Sequence, residues 1–249
     1  MRLAALLSSS AAALLLLTGS AHAALYGNYA GSTVTFEGVQ DQNGLFGAPV
    51  VSADSLDFNP NSFEAGCPLH GCSSELVDDT LTFTIQANSG SYLNDIVLSE
   101  AGDFNLSTFV ANDLAVTSVA ANIFVDILAI DGVAVNNINA NASMVFTNGG
   151  AYQRSFGSDG VGTSSGAWTG NLTLDLDAII AAAGASGQAT RVTLNINNTL
   201  TAFAGGNALA FIEKKDFDGL AVTVVPEPGT AILFGLGLAG LASVRRSRR

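Results

Sequence analysis

Positive charge is scarce in this chain, and most of it sits at the two ends. Nine Lys and Arg face 21 Asp and Glu over 249 residues. Between positions 24 and 225 the only basic residues are Arg154, Arg191, Lys214 and Lys215, against 20 acidic ones, which leaves that stretch at a formal −16. Nucleic acid and anionic membrane surfaces are excluded as partners by this balance, whereas divalent cations and basic partners are permitted. Charged residues of any kind make up only 12% of the sequence. The shortage of Lys, Arg and Glu, set against abundant Gly, Asn, Ser and Thr, disfavours long surface helices and suits turns and strands.

Histidine is nearly missing as well. The two are His22 and His70, and His22 falls in a segment expected to be removed. His70 would therefore have to be the base of any Ser-His-Asp or Cys-His system, and no G-x-S-x-G accompanies it, so that chemistry is not expected. There are only two cysteines, Cys67 and Cys72, within Cys67-Pro68-Leu69-His70-Gly71-Cys72. In an exported chain such a pair, with Pro and Gly to shape the turn, is expected to form a disulfide that pins a local loop. A zinc reading would use Cys67, His70 and Cys72, and it lacks a fourth ligand.

The long apolar runs are confined to the ends. Residues 1–23 read as a secretory signal peptide: Arg2 supplies the positive start, residues 3–17 an apolar run, and Ala21-His22-Ala23 the small residues that a signal peptidase accepts. Cleavage is expected between Ala23 and Ala24. At the other end Pro226-Glu227-Pro228 precedes an apolar stretch from Thr230 through Val244, and Arg245, Arg246, Arg248 and Arg249 follow it. As a helix at about 1.5 Å per residue the stretch reaches about 22 Å, a marginal transmembrane span against a hydrocarbon core of roughly 30 Å. The four arginines would stay cytoplasmic, leaving the acidic body outside. The match to G-x-G-x-x-G at residues 235–240 follows no strand and opens no βαβ unit, so it does not indicate nucleotide binding.

This three-part tail resembles the PEP-CTERM sorting signal of Gram-negative bacteria that make exopolysaccharide. The resemblance implies recognition of residues 226–249 by exosortase, a membrane-embedded transpeptidase-like protease, with passage through the inner membrane on the way to the outer surface or extracellular matrix. It covers about a tenth of the chain. It implies an address and no activity for the body.

Residues 24–225 alternate apolar and polar side chains in short stretches separated by Gly, Asn, Asp and Ser, the pattern of antiparallel β structure. Strands are expected at 32–39, 80–87, 93–99, 105–110, 116–130, 133–135, 142–147, 152–156, 167–174, 190–203, 208–213 and 220–225. Asp131-Gly132 is a two-residue hairpin signal. One short helix is expected at 175–183, with acidic residues at its start and Gly184 after its end. Ten to twelve strands without a linker or repeat predict an all-β, two-sheet antiparallel β-sandwich, jelly-roll-like; a solenoid would need a fixed period, which is not visible.

Several side-chain groups are candidates for chemistry. Asp54, Asp57, Asp78, Asp79, Asp95, Asp103 and Asp113 lie among Asn and Gly and could hold Ca²⁺, although a solvated acidic face that keeps sheet edges from pairing is the favoured account of them. No cofactor is otherwise implied. Tyr26, Tyr29, Tyr92, Tyr152 and Trp168 are able to stack on sugars, and Trp168, between glycines and serines, is the one expected to be exposed. The run Glu213-Lys214-Lys215-Asp216 reads as a charged hairpin between the last two strands. These features predict an exported, non-enzymatic surface or exopolysaccharide-matrix protein. The rivals are a carbohydrate- or calcium-binding module and an extracellular glycan hydrolase built on a carboxylate pair.

Overall fold

The computed structural model describes residues 23–60, 62–69, 72–215 and 219–226. The expected signal peptide, His70, and the tail from Glu227 onward lie outside them. Among the described residues no helix is long and apolar enough to cross a membrane.

The body is nearly all β, and every pairing is antiparallel. In chain order the strands are β1 (Ala24–Ala30), β2 (Val34–Asp41), β3 (Val50–Ser52), β4 (Ser55–Phe58), β5 (Glu64–Cys67), β6 (Ser74–Ala87), β7 (Leu93–Thr108), β8 (Leu114–Ile130), β9 (Val133–Ser143), β10 (Val145–Phe146), β11 (Ala151–Ser155), β12 (Gly162–Asp175), β13 (Ala189–Gly205), β14 (Leu209–Lys214) and β15 (Leu220–Pro226). All fifteen belong to one sheet. Its pairings fall into two groups. One runs β1-β2-β6-β13-β8, with β11 and β9 end to end along β8; the other centres on β7, flanked by β12 and by β14 and β15. The groups join through a single pair, Ala189 opposite Leu93. The two separate sheets expected from the sequence are thus linked into one continuous sheet, because β13 runs past the end of β6 far enough to reach the start of β7.

Long alternating strands make the core. In β13, Val192, Leu194, Ile196, Leu200 and Ala202 are buried, while Arg191, Thr193, Asn195, Asn197 and Thr201 face outward between them. Ile96, Leu98 and Leu106 do the same in β7. The stretches expected as two strands, 93–99 and 105–110, are one strand of 16 residues. The turn at Asp131-Gly132 forms as expected: Ile130 pairs with Val133, and both turn residues have positive φ, 48° and 76°.

The expected helix is α2 (Leu176–Ala182). Asp175 caps it by accepting the Ala178 N–H, and Leu176 and Ile180 are buried. Two further turns are helical, α1 (Phe156–Asp159) and a 3₁₀ turn over Thr147–Gly150. The last two strands form no hairpin. β14 and β15 lie end to end along β7, pairing with residues 102–107 and 93–100 respectively. A 16-residue strand offers enough edge for both.

Candidate functional site

Strands β7, β13 and β14 each place a polar residue within or at the end of a run of inward apolar ones. In β7 it is Glu100, between Leu98 and Gly102; in β13 it is Asn198, between Ile196 and Leu200; in β14 it is Lys214, after Ala210 and Ile212. All three are buried. Lys214 Nζ stands 2.8 Å from Glu100 Oε2, with neither side chain exposed. The other carboxylate oxygen, Oε1, accepts a 2.5 Å hydrogen bond from Asn198 Nδ2. One carboxylate therefore holds the amine of one strand and the amide of another.

The surroundings are apolar. Lys214 Nζ lies 5.6 Å from the Phe46 ring centroid, 5.5 Å from Phe63 and 5.8 Å from Trp168, a three-sided aromatic cage. Burial pushes the Lys214 amine below its ordinary value, and the Glu100 carboxylate pulls it partly back. Among the described residues Asn198 Oδ1 and Trp168 Nε1 are buried without hydrogen-bond partners.

Sequence-distant residues build this cage. Gly102 of β7 is flanked in register by Trp168 on one side and Lys214 on the other. A Cβ at Gly102 would collide with the Trp168 ring, so glycine is what allows the indole to lie across β7. Phe46 enters from the loop after β2. Asp41 accepts N–H bonds from Gly44 and Phe46, and Asp79 accepts them from Gln42, Asn43 and Leu45, which folds that loop onto the core. Burial raises the Asp79 carboxyl, and the Asp41 charge adds to this against the backbone donors.

Trp168 is thus not exposed as expected but fully buried. The small residues around it open space inside the protein. Lys214 likewise does not belong to a solvated turn. It continues the inward phase of β14, and just beyond that strand the Lys215 backbone N–H extends the pairing with β7 by donating to Ala101 O. Alternation in phase with Ala210 and Ile212 is the sequence signal that marks Lys214, and the same test marks Glu100 and Asn198.

The outer face carries a cleft of about 610 Å³ between β5, β14 and the start of β6. Glu64, Glu75, Asn105 and Phe211 line it, and Phe211 lies over Gly66, where a Cβ would come within 3.0 Å of the ring. A depression of about 440 Å³ continues it past Asn105 toward Ser165. Glu75 accepts the Gly66 N–H at 2.6 Å. Cys67 and Cys72 form the expected disulfide, with Cα atoms 5.1 Å apart, beside this cleft. Both sulfurs are then consumed, which removes the zinc reading.

Three of the expected calcium ligands, Asp54, Asp79 and Asp113, accept bonds from backbone N–H groups. Asp54 bonds Thr33 through N–H and hydroxyl, and Asp113 accepts from Phe109, Val110 and Asn207. Among the described residues no three His, Cys, Asp or Glu side chains gather as a metal-binding group. Ala24 opens β1 opposite Asp41, so a chain starting there begins directly in the sheet. Pro226 closes β15 opposite Leu93; Glu227, Pro228, the 230–244 stretch and the four arginines lie outside the described residues.

The C-terminal segment makes this a protein that carries its own sorting signal. Residues 224–249 match the PEP-CTERM protein-sorting motif. That motif implies processing by exosortase and sorting to the envelope or beyond. A search of curated proteins finds no match. Solved structures give distant likenesses: the enzymatically active domain of bacteriophage CBA120 tailspike protein 4 (14% identity, 82% of this chain and 19% of that one, TM-score 0.18), the CBM22-1-GH10 modules of Clostridium thermocellum xylanase 10B (5%, 65% and 26%, 0.18) and the infectious bursal disease virus VP2 subviral particle (12%, 86% and 58%, 0.17). The chain spans less than two thirds of each of these, and at such scores they carry no argument about fold or activity.

Proposed function

We propose that the protein is a non-enzymatic component of the outer surface or exopolysaccharide matrix, held transiently in the inner membrane by residues 230–244 until exosortase acts on the tail. The observation that carries this reading is the sorting motif at residues 224–249. The use of carboxylates supports the absence of an enzyme. Asp79 and Asp113, whose titration is displaced from the ordinary carboxylate range, both hold loop backbone rather than facing a cleft. The two groups of strands read best as facing layers of a jelly-roll-like sandwich, since side chains of both meet around Glu100 and in the Phe104–Tyr152 stack at 4.2 Å. Deletion of residues 226–249 is expected to move the protein from the surface and matrix fractions to the periplasm; unchanged fractionation would contradict the address.

A second reading rests on the outer cleft. An aromatic ring beside carboxylate and amide acceptors is the chemistry that holds a neutral sugar, with Phe211 in the role the sequence suggested for Trp168. Exopolysaccharide is the ligand class. Phe211→Ala is expected to weaken binding to a neutral glycan array at least tenfold without change in thermal stability, and EDTA to have no effect. Loss with EDTA alone would indicate calcium instead.

A further inference from the structure

A buried ammonium–carboxylate pair is a costly arrangement, commonly no more stable than an apolar replacement of the same volume. Here it sits at the junction of β7, β13 and β14 and includes a third group, the carboxamide of Asn198, on the second oxygen of the same carboxylate. An amine, an amide and a carboxylate between them, shielded by Phe46, Phe63 and Trp168, are the components of an acyl transfer from one nitrogen to another.

We propose that Lys214 and Asn198 become joined by an intramolecular isopeptide bond, with Glu100 moving the protons. In the desolvated cage Lys214 gives one proton to Glu100 Oε2, which leaves a neutral amine and a neutral acid in place of two buried charges. The Nζ lone pair attacks Asn198 Cγ, forming the new C–N bond and placing negative charge on Oδ1. Glu100 passes its proton to Nδ2 and takes one from Nζ. The Cγ–Nδ2 bond then breaks, the carbonyl reforms and ammonia departs. The balance is amine plus carboxamide to secondary amide plus ammonia, with Glu100 left protonated; no oxidant or other reactant enters. Among the described residues Oδ1 is buried without a donor, and the indole N–H of Trp168, which borders the same cage, is without an acceptor.

The bond would tie β13 of one strand group to β14 of the other. A pull applied through the tail would peel β15 from β7 and then meet a covalent stop at Lys214, twelve residues before Pro226. That suits a chain working outside the cell, beyond chaperones.

The test is mass spectrometry of the folded, disulfide-bonded protein. The expected intact mass is about 17 Da below that calculated from the sequence with one disulfide, the loss of one ammonia. Proteolysis should release a branched peptide in which the 198 and 214 segments are joined. Glu100→Gln and Lys214→Met should each restore the missing mass and give only linear peptides. The wild-type measurement stands even if a variant folds poorly. Full mass with residues 198 and 214 in separate peptides would overturn the proposal, and so would the ammonia loss without the branched peptide, since a succinimide at another Asn gives the same mass.

Discussion

At the scale of single residues, the structure turns on polar groups placed where the strand pattern demands apolar ones. Glu100, Asn198 and Lys214 were legible by phase: each follows its inward neighbours by two positions. What the sequence could not reveal is that the three positions meet, because that depends on register between strands about 100 residues apart. Asp113 shows the opposite use of a carboxylate. Burial alone would raise its pKa, yet the N–H groups of Val110, Phe109 and Asn207 together hold it below the usual range. A carboxyl depressed in the folded state contributes stability that is present above its unfolded value of about 4 and is lost as pH falls through the folded one. Asp79, raised in the fold, works in the other direction, because its ionisation weakens the fold as pH rises past the unfolded value. Asp113→Asn is therefore expected to lower the urea midpoint at pH 7 and to flatten the loss of stability between pH 4 and pH 2. An acid limb as steep as in the wild type would show that the three backbone bonds do not set that carboxyl.

At the scale of elements, most strands were visible as alternation, and the Asp131-Gly132 turn and the helix beginning after Asp175 were visible from local chemistry. The misreadings concern what lies beside a strand. The sequence around Gly102 and Phe104 breaks the apolar pattern of β7, which suggested two strands; the break instead marks where Trp168 and Lys214 crowd in from either side. The charged run after Ile212 suggested a hairpin because hairpins are the common way to join successive strands. Here the edge of β7 accepts both β14 and β15, so β15 takes the same partner as β14. The loop after β2 gave no sign of entering the core. Its apolar Phe46 needed Asp41 and Asp79, from two different strands, to fold it inward.

At the scale of the whole molecule, the acidic body and the basic C-terminus divide the labour. Among the described residues the interior is apolar but for a few polar and charged groups, Glu100, Asn198 and Lys214 among them, and the net negative charge of the body keeps it apart from anionic surfaces. The motif at 224–249 supplies the address. The outer cleft was not legible, because aromatic and acidic residues gather there only through pairing of β5, β14 and β7. The account depends most on the address, and the most direct measurement is the distribution of the intact protein between inner-membrane and external fractions in the native host with and without its exosortase. The account predicts that the protein reaches the outside in the parent and accumulates, with residues 226–249 still attached, in the inner membrane of the exosortase-deficient strain. The same external yield and the same C-terminus in both strains would contradict it.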